Sequence, residues 1–529
     1  MPTDCISYQN SGYFSSLIKD YLDEKPSLKP FYHRFAKLEN FEAQIHEKAT
    51  NFDHTSRGEL ALVLQKQYKG VPVSDLTQQN MEALKVSNTF TITTGHQLNL
   101  FSGPLYFLYK IITTINLTKD LKAKYPAYNF VPVYWMATED HDFEEINYFN
   151  FKGKKFRWNK ESSGPVGRLS TEGLDAVLEL FEQELGNSTH ASVLKKTFQE
   201  AYLQHTNLAD ATRYLANTLF GNSGLVIIDA DNPVLKKRFI PYIKEELYHQ
   251  SAYKTVLETT QKLSQYPIQV TPRDINLFYI EKDLRERIIY EKGLYKINNT
   301  KIHFSRTEIT QLLESNPEKF SPNVIMRPLY QEVILPNLAY IGGGGEIAYW
   351  LELKSFFDAA NISFPILVVR NSVLLTSEKQ THKIDKLALN WHQLFAKQET
   401  LIHQVTVQNT AFPIDLTLQK QQLQLQFKTL YELAERTDKS FVGAVKAQEI
   451  KQIKGLENLE KRLLKAQKRK CKEIITRATN LQNELFPNKS LQERQVNFSE
   501  FYLQSGTDLI PKLLAQLRPL DQKFEIISL

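Results

Sequence analysis

The stretch ATEDHDFEEIN, residues 137–147, follows the apolar run VPVYWM and holds five carboxylates and one histidine. Carboxylates that lie close together raise one another's pKa, so one of them can act as a general base. They can also hold a divalent cation through oxygen atoms, or they can cap a helix, with Thr138 as the N-cap. We assign no metal site. The residues that we predict to be catalytic are Asp140, His141, Asp142 and Glu144.

A second polar stretch, TTGHQLNLFSGP (residues 93–104), lies between a β-branched run and a long helical pattern. A helix N-terminus presents unpaired N–H groups and the positive end of the helix dipole, which favour an anion. Neither GxxxxGK[ST] nor GxGxxG is present, and the alternative is a turn that needs glycine for its geometry alone. The residues that we predict to bind a substrate or anion here are Thr94, Gly95, His96, Gln97, Asn99, Ser102 and Gly103.

The third stretch, FSPNVIMRPLYQEVILPNLAYIGGGGEIAYWLEL (residues 320–353), places four glycines between an apolar strand and a helix. Glycines at such a position let the backbone approach a ligand closely or adopt a positive φ. Arg327 can pair with a carboxylate or phosphate, although a lone arginine also forms structural ion pairs. The further binding residues that we predict are Arg327, Gly342, Gly343, Gly344, Gly345, Glu346, Tyr349 and, after the last core strand, Arg370 and Asn371.

Strands and helices alternate around these stretches. NTFTITTG and NFVPVYWMA are short and rich in β-branched and aromatic residues, as buried strands are, and LYFLYKIITTINLTKDLKAKY between them has helical periodicity. Such a βαβ unit implies a parallel sheet, which GLVIIDA and FPILVVR continue. We therefore predict a doubly wound α/β core in which the first two polar stretches meet at one edge of the sheet.

Composition and hydrophobic periodicity divide the chain into four predicted parts. Residues 1–85 have helical periodicity, and residues 86–375 form the α/β core, with YPIQVTP, INLFYIE and RIIYE as strands of an antiparallel insertion around 266–305. We predict that residues 376–490 form an antiparallel α-helical arm and that residues 491–529 form a segment that returns to the core. A long helix with one narrow apolar stripe commonly pairs with a second chain, so we expect a homodimer.

The overall composition excludes several classes of protein. With 529 residues, 42% of them hydrophobic, the chain can bury a large core and is not disordered. The net charge of +6 is modest, and the basic stretch 446–477 lacks interleaved aromatic residues, so we expect no nucleic-acid partner. No apolar run is long enough to span a membrane, and the start lacks a signal-peptide pattern. Two cysteines, Cys5 and Cys471, fit a reducing cytoplasm.

Four blocks of the sequence resemble one known family. TTGHQLNLFSGPLYFLYKI, PVYWMATEDHDFEEIN, the third stretch and LQERQVNFSEFY occur in this order between residues 93 and 502, and they resemble the bacillithiol biosynthesis cysteine-adding enzymes, also called cysteine ligases. The resemblance implies a Rossmann-type core with inserted connecting segments, an α-helical antiparallel coiled-coil arm and a homodimer. It also implies the last step of bacillithiol synthesis, in which the cysteine carboxyl is joined to the amine of glucosaminyl-malate.

A free carboxylate and an amine do not form an amide at useful rates without activation. Our hypothesis is therefore that the protein uses ATP with Mg²⁺, and we expect no organic prosthetic group. In this interpretation the second stretch binds a phosphate or a substrate carboxylate. The first stretch orients the glucosamine amine or takes its proton, and the third closes the other side of the pocket. Malate carries two carboxylates, which calls for at least one arginine.

The sequence departs from the family's pattern at one place, because members usually read TGQQ where this chain reads TGHQ. His96 either adds acid–base character or replaces one hydrogen-bond donor with another. Two other functions remain open. The first is an adenylate-forming or nucleotidyl-transfer enzyme that acts on another amine, and the second is a dimeric ligand-binding scaffold without turnover.

Overall fold

The computed structural model describes residues 4–529. Its N-terminal part is helical, and the side chains of Ser15 and Ser74 each accept a hydrogen bond from the first turn of a helix, which satisfies an otherwise unpaired N–H group. A short strand that the sequence analysis missed precedes the helices. The elements are β1 (Asp4–Ser7), α1 (Tyr8–Ser11), α2 (Ser16–Leu22), α3 (Asn40–Asn51), α4 (Ser56–Gln67) and α5 (Asp75–Ala83).

The next part of the chain supplies three strands of the central sheet. Every residue of its first strand is buried, because helices cover both faces of a parallel sheet. The elements are β2 (Thr89–His96), α6 (Tyr106–Lys124), β3 (Asn129–Met136), α7 (Phe143–Ile146), β4 (Tyr148–Phe151), β5 (Lys154–Arg157), α8 (Leu174–Leu185), α9 (Thr189–Phe198), α10 (Leu208–Phe220), β6 (Val226–Asp229), α11 (Pro233–Lys237), α12 (Ile240–His249) and α13 (Ser251–Lys262).

The third part holds the inserted sheet and the last two strands of the core. The inserted strands come first, and the chain then returns to the core through a helix that begins at Met326. The elements are β7 (Leu277–Glu281), β8 (Leu284–Glu291), β9 (Leu294–Ile297), β10 (His303–Phe304), α14 (Arg306–Ser315), β11 (Phe320–Pro322), α15 (Met326–Ile334), β12 (Asn337–Gly342), α16 (Gly344–Leu351), α17 (Lys354–Ala359), β13 (Ile366–Val369) and β14 (Ser372–Thr376).

The central sheet has the strand order β13-β12-β2-β3-β6, and all its neighbouring strands are parallel. From β2 the chain moves outward to β3 and β6, and it later crosses back to place β12 and β13 on the other side. The prediction of a doubly wound α/β core is therefore confirmed. In such folds a crevice opens at the carboxyl ends of the strands where the order reverses, which here is between β2 and β12.

The insertion is an antiparallel sheet of order β10-β9-β8-β7-β11. The prediction that YPIQVTP forms its first strand is wrong, because residues 267–273 have no regular secondary structure. Pro267 and Pro272 bracket this segment and cannot donate to a strand neighbour. The N–H groups of Gln269 and Val270 donate instead to the carboxylate of Glu352, at 2.8 and 3.1 Å.

The last part of the chain forms the arm and then returns to the core. The longest helix has 32 residues and is about 48 Å long. The elements are α18 (Glu378–Lys386), α19 (Trp391–Phe395), α20 (Gln398–Gln408), α21 (Thr417–Ala434), α22 (Lys439–Lys470), α23 (Lys472–Leu485), α24 (Gln492–Gln495), α25 (Ser499–Ser505), α26 (Leu509–Gln516) and β15 (Lys523–Ser528).

The arm is an antiparallel helical hairpin. Near its tip Tyr431 on α21 bonds to Glu449 on α22, and further from the tip Lys420 bonds to Glu460. Residues progressively further from the turn thus meet on the two helices, as antiparallel packing requires. The prediction of an antiparallel helical arm is confirmed. None of the helices between residues 4 and 529 combines the length and apolarity that a membrane crossing needs.

A small three-stranded sheet joins the two ends of the described chain to the core. β15 pairs in parallel with β14 and antiparallel with β1. Because β14 follows β13 after only two residues, this small sheet continues directly from the edge of the central sheet. The segment that follows the arm is therefore anchored beside the carboxyl end of β13.

Candidate active site

A cavity of about 840 Å³ lies at the carboxyl edge of the central sheet. The ends of β2 and β3, the loop after β6 and the start of α16 form one wall. The opposite wall comes from β7, β8 and the irregular segment 269–275 of the insertion. The cavity therefore occupies the crevice that the strand order predicts, and the inserted sheet covers it.

Gly95 and His96 end strand β2 at the cavity wall. A Cβ atom at Gly95 would lie 3.2 Å from the hydroxyl oxygen of Tyr340, so a larger residue here would require the Tyr340 side chain to shift. Thr94 lies deeper in the sheet and does not line the cavity, because its hydroxyl donates to the carbonyl of Ile341 at 2.8 Å. The strand thus delivers its last two residues to the site.

Asn99, Ser102 and Gly103 lie outside the cavity, in the turn between β2 and α6. Gly103 has φ 61° and ψ −135°, and a Cβ atom there would lie 2.6 Å from the Cβ of Asn99. Asn497, from the block LQERQVNFSEFY, donates to the carbonyls of Phe101 and Gly103 at 2.7 and 2.6 Å. Gly103 therefore serves the geometry of this turn, and none of the three predicted residues lines the cavity.

His96 is a buried imidazole at the edge of the cavity. Its ring lies 5.3 Å from the ring of Tyr106 and 5.1 Å from that of Phe107, and its Nε2 atom is buried without a hydrogen-bond partner. Burial holds the pKa of His96 well below 6.5, and the nearby charges of Lys110 and Arg370 lower it further. The imidazole is therefore neutral, and its Nε2 atom is enclosed by protein without a hydrogen-bond partner.

Asp140 and His141 line the cavity beside the second strand. Asp140 accepts a hydrogen bond from Nε2 of Gln97 at 2.9 Å and another from the backbone N–H of His141 at 2.7 Å. Gln97 also donates to Glu145 at 2.8 Å. The first two predicted stretches are thus brought together, and a direct hydrogen bond joins them.

Asp142 and Glu144 do not line the cavity. Glu144 forms a surface ion pair with Arg157 on β5. The alternative in which Thr138 caps a helix is wrong, because the Thr138 hydroxyl donates to the carboxylate of Asp229 and α7 begins only at residue 143. The five carboxylates of this stretch therefore face different environments.

Glu139 belongs to a buried network that the sequence analysis did not assign. Its carboxylate pairs with Lys236, which also lies 3.3 Å from Asp231. The Lys236 side chain is only 1% exposed. Burial raises the pKa of Glu139 although Lys236 opposes this. The network ties the end of β3 to the loop after β6 and so shapes the cavity floor.

Lys110 and Glu346 form an ion pair of 2.6 Å that faces the cavity. Lys110 also donates to the carbonyl of Gly95 at 2.6 Å. Glu346 accepts from the N–H of Gly343 at 2.9 Å and from the Tyr340 hydroxyl at 2.8 Å. Burial opposes ionisation of Glu346, but Lys110, the Gly343 N–H and the Tyr340 hydroxyl together outweigh it, and the pKa of this carboxyl lies below 4.5. Glu346 is therefore held as a carboxylate.

The four glycines have different surroundings. Gly343 and Gly345 line the cavity, whereas Gly342 packs against the side chain of Glu346 and Gly344 faces Ile18. Gly343 is the N-cap of α16, and its N–H is the group that Glu346 caps. The run thus combines close packing with a helix start at the cavity.

Arg327 lines the cavity without a carboxylate partner among residues 4–529. Its guanidinium donates to Gln331 at 3.1 Å and to the Tyr349 hydroxyl at 3.3 Å. It also lies 5.9 Å from the ring of Trp135 and 5.6 Å from that of Tyr340. The structural ion pair that we considered for Arg327 is absent from this part of the chain, which leaves its charge available to a ligand.

Arg370 lines the cavity and is paired, whereas Asn371 lies outside it. Arg370 binds the carboxylate of Glu493 through two hydrogen bonds, of 3.0 and 2.7 Å. Its Nε atom is buried without a partner. Asn371 bonds to the hydroxyl of Thr113 at 2.9 Å and to the carbonyl of Arg518 at 2.8 Å. Asn371 therefore joins the core to the C-terminal segment.

The structure brings together just over half of the predicted site residues. Those that line the cavity are Gly95, His96, Gln97, Asp140, His141, Arg327, Gly343, Gly345, Glu346, Tyr349 and Arg370. Those that do not are Thr94, Asn99, Ser102, Gly103, Asp142, Glu144, Gly342, Gly344 and Asn371.

The cavity wall carries seven cationic side chains and only three carboxylates. This excess of positive charge favours an anionic ligand, since clefts lined by one sign of charge concentrate the opposite sign. Sequence analysis missed most of these cations, because they lie in helices, in strands or in the irregular segment 269–275 and belong to none of the three polar stretches. The cationic residues are Lys110, Arg273, Arg285, Arg287, Arg327, Arg370 and Arg494, and the acidic ones are Glu139, Asp140 and Glu346.

The chain matches two family models that together cover nearly all of it. "Bacillithiol biosynthesis BshC, N-terminal Rossmann-like domain" matches residues 1–371, and "Bacillithiol biosynthesis BshC, C-terminal coiled-coil domain" matches residues 373–529. In the family's own division, the arm and the segment 491–529 thus belong to one domain.

Three relatives with the name "Putative cysteine ligase BshC" are similar to this chain over its whole length. The protein from Flavobacterium johnsoniae is 68% identical and that from Flavobacterium psychrophilum 61% identical, each with full coverage of both chains. The protein from Christiangramia forsetii is 57% identical, with 100% of this chain and 99% of the relative covered. The chain therefore belongs to the bacillithiol biosynthesis BshC family.

Proposed function

We propose that this protein is a cysteine ligase that completes bacillithiol synthesis by joining the carboxyl of cysteine to the amine of glucosaminyl-malate. Family membership supports this function, and the names of its relatives agree with it. The structural observation that carries the proposal is a cavity at the carboxyl edge of the sheet, with seven cationic and three acidic side chains. Such a wall suits a substrate with two carboxylates.

The malate carboxylates are assigned to the cations that have no carboxylate partner. Arg327 is one of them, and its fixed contacts with Gln331 and Tyr349 hold its guanidinium in place. Charge-assisted hydrogen bonds from arginine to a carboxylate are short and strong. Lys110 and Arg370 are already paired, so they set the local potential and contribute less direct binding.

Asp140 is assigned to the amine. Its carboxylate lies in the cavity wall and is oriented by Gln97 and by the N–H of His141. A carboxylate that is held in this way can accept a hydrogen bond from an amine, orient it and take its proton. Asp142 and Glu144 lie outside the cavity wall, so we give them no part in this step.

ATP with Mg²⁺ is the activating reagent that we propose for the carboxyl of cysteine. The partnerless arginines of the cavity wall suit phosphate oxygens as well as carboxylates, and its volume of about 840 Å³ leaves room for more than one small molecule. Among the described residues, no three His, Cys, Asp or Glu side chains are grouped to hold a metal ion. Mg²⁺ would therefore bind with the nucleotide phosphates.

The experiment that tests this function is mass spectrometry of a mixture of the protein, glucosaminyl-malate, cysteine, ATP and Mg²⁺, with ATP omitted in a parallel sample. We expect bacillithiol only in the complete mixture, with AMP or ADP identifying the activated intermediate. Equal product without any nucleotide would overturn the role of ATP. Product from another amine in place of glucosaminyl-malate would favour the broader adenylate-forming or nucleotidyl-transfer function, and binding without any product would favour a scaffold.

We also propose a cytoplasmic homodimer that forms through the arm. The arm carries exposed apolar side chains on α21 and α22, and isolated helical hairpins of this length commonly cover such residues with a second chain. Both cysteines are free, which suits a reducing compartment. The exposed apolar residues are Leu418, Leu425, Leu430, Leu433, Phe441, Ile450 and Leu459.

A further inference from the structure

Arg285, on strand β8 of the inserted sheet, contacts His141 in the loop after β3. The Nη1 atom of Arg285 lies 2.6 Å from Nδ1 of His141. The guanidinium stacks on the ring of Phe278 at 3.9 Å, and it donates to the hydroxyl of Ser321 and the carbonyl of Pro322, both at 3.3 Å. Three residues of the insertion thus fix the position of the group that touches His141.

This contact determines which nitrogen of His141 carries the proton. A guanidinium has only donors and stays charged, so Nδ1 must accept and cannot hold a hydrogen. The neutral ring then has its hydrogen on Nε2. Burial lowers the pKa of His141 and Arg285 lowers it further, while the acids that face it, Asp140, Asp142 and Glu286, oppose the change without reversing it.

The Nε2 edge of His141 has no protein partner. The side chain is 48% exposed and lines the cavity, and no hydrogen bond from a residue between 4 and 529 reaches Nε2. Its ring is also fixed by packing 5.5 Å from the ring of Phe278. A histidine that lines a ligand cavity, whose first nitrogen is held by a cation and whose second nitrogen has no protein partner, is prepared to donate one hydrogen bond.

We propose that His141 donates a hydrogen bond through Nε2 to an oxygen atom of the bound substrate, and that Arg285 is the positioning residue that fixes this role. The proposal rests on the proposed function only for the identity of that substrate. It assigns His141 to binding an acceptor oxygen of a carboxylate, carbonyl or phosphate group, and it excludes His141 as the base that takes the proton of the amine. The insertion thereby contributes to the site through a residue of the core.

The first test is a long-range ¹H–¹⁵N correlation spectrum of the protein with ¹⁵N-labelled histidine. The chain has 12 histidines, so the His141→Gln variant identifies the signals of His141. We expect the neutral Nε2–H tautomer at pH 7, and loss of this preference with a higher pKa in Arg285→Met. Arg287→Met, on the same strand and the same cavity wall, is the matched control and should leave the His141 signals unchanged.

The second test compares two replacements of His141 in the ligase assay. Gln keeps an N–H donor and Leu does not, so His141→Gln should retain about tenfold more activity than His141→Leu, the effect of one hydrogen bond. A base would be lost equally in both variants.

Two results would overturn the proposal: an Nδ1–H tautomer in the wild-type protein, or equal activity of the Gln and Leu variants. The spectrum does not depend on turnover. If the wild type forms no thiol product, the proposed function fails, but the spectrum still tests the tautomer of His141. If Arg285→Met does not fold, the wild-type tautomer still decides the matter.

Discussion

Arg370 and Glu493, which are 123 residues apart in the sequence, form a buried ion pair with two parallel hydrogen bonds of 3.0 and 2.7 Å. Their side chains are 4% and 1% exposed. Arg370 follows the last strand of the central sheet and lines the cavity, whereas Glu493 lies on α24, beyond the arm. The segment after the arm therefore orients a cationic residue of the candidate active site.

Removing Glu493 should destabilise the whole protein. In Glu493→Ala the Arg370 charge stays buried without its carboxylate, and breaking a buried ion pair from one side costs about 3–5 kcal/mol. The measurement is the free energy of unfolding in urea. Arg477→Ala, which breaks an exposed pair on the arm, is the control and should change the free energy by less than about 1 kcal/mol. If both variants lose the same free energy of unfolding, burial does not make the Arg370–Glu493 pair more important than an exposed pair.

Asp140 and Asp142 should differ sharply in their effect on activity. Asp140→Asn removes the carboxylate that lines the cavity and should lower kcat/KM by about 100-fold, a common size for the loss of a general base. The melting temperature should change little, because the Asp140 side chain is 29% exposed. Asp142 lies outside the cavity wall, so Asp142→Asn should keep kcat/KM within about twofold of the wild-type value. If Asp140→Asn lowers both kcat/KM and the melting temperature strongly, the role of Asp140 is structural.

His96 should make the protein less stable below pH 6.5. The unfolded chain binds a proton at this histidine below its ordinary pKa of 6.5, whereas burial keeps the folded ring neutral. Stability is therefore retained above pH 6.5 and falls as the pH decreases, by up to about 1.4 kcal/mol per pH unit. Urea unfolding at pH 7.5, 6.5 and 5.5 measures this slope. His96→Gln should reduce the slope, and a slope identical to that of the wild type would contradict the prediction.

Glu352 should control the mobility of the segment that covers the cavity. It accepts hydrogen bonds from the N–H groups of Gln269 and Val270, and burial raises the pKa of Glu352 to about 7. In Glu352→Ala, amide exchange of residues 266–276 should become faster, and KM should rise more than kcat falls. In the wild type the same exchange, corrected for intrinsic rates, should increase as the pH falls through about 7, because a protonated carboxyl has one acceptor fewer. Unchanged exchange in the variant would show that the segment is held by other contacts; Glu258→Gln, at a surface position, is the control.

The exposed apolar residues of the arm should determine the oligomeric state. Leu418→Glu together with Leu425→Glu places charges where each leucine is 67% exposed in the single chain. We expect the wild type to sediment at twice the mass of one chain and the double variant at the mass of one chain. Gln419→Glu together with Gln426→Glu adds the same charge on the same helix and should leave the dimer intact. A wild-type protein that sediments as a single chain would overturn the proposed homodimer.

The sequence was most informative where a local pattern has one physical meaning. β2 and β3 are short, β-branched and bounded by a helix of clear periodicity, so a parallel pair follows, and with it the meeting of Gln97 and Asp140 at one edge. The alternation of strands and helices also predicts the doubly wound core. The arm follows from its narrow apolar stripe and from the absence of proline between residues 414 and 486.

Other features depend on contacts between distant parts of the chain. Residues 266–272 have the composition of a strand, but Glu352 takes the hydrogen bonds that a neighbouring strand would need. Arg285 reaches the cavity only because the inserted sheet folds over the core, and nothing in its local sequence indicates this. Gly103 looked like a ligand-binding glycine, although it serves a tight turn that Asn497 completes. Arg494 lies in a block that resembles the family, and this signal could have identified it.

The pairing of β1 with β15, and of Arg370 with Glu493, has a consequence for the order of events during translation. The central sheet leaves the ribosome long before residues 491–528 are made, and domains commonly begin to fold during synthesis. At that stage Arg370 has no carboxylate, the carbonyls of Phe101 and Gly103 lack the amide of Asn497, and β14 and β1 lack the strand that joins them. A nascent or prematurely terminated chain therefore exposes an unfinished site and an open sheet edge, a surface that favours aggregation and degradation.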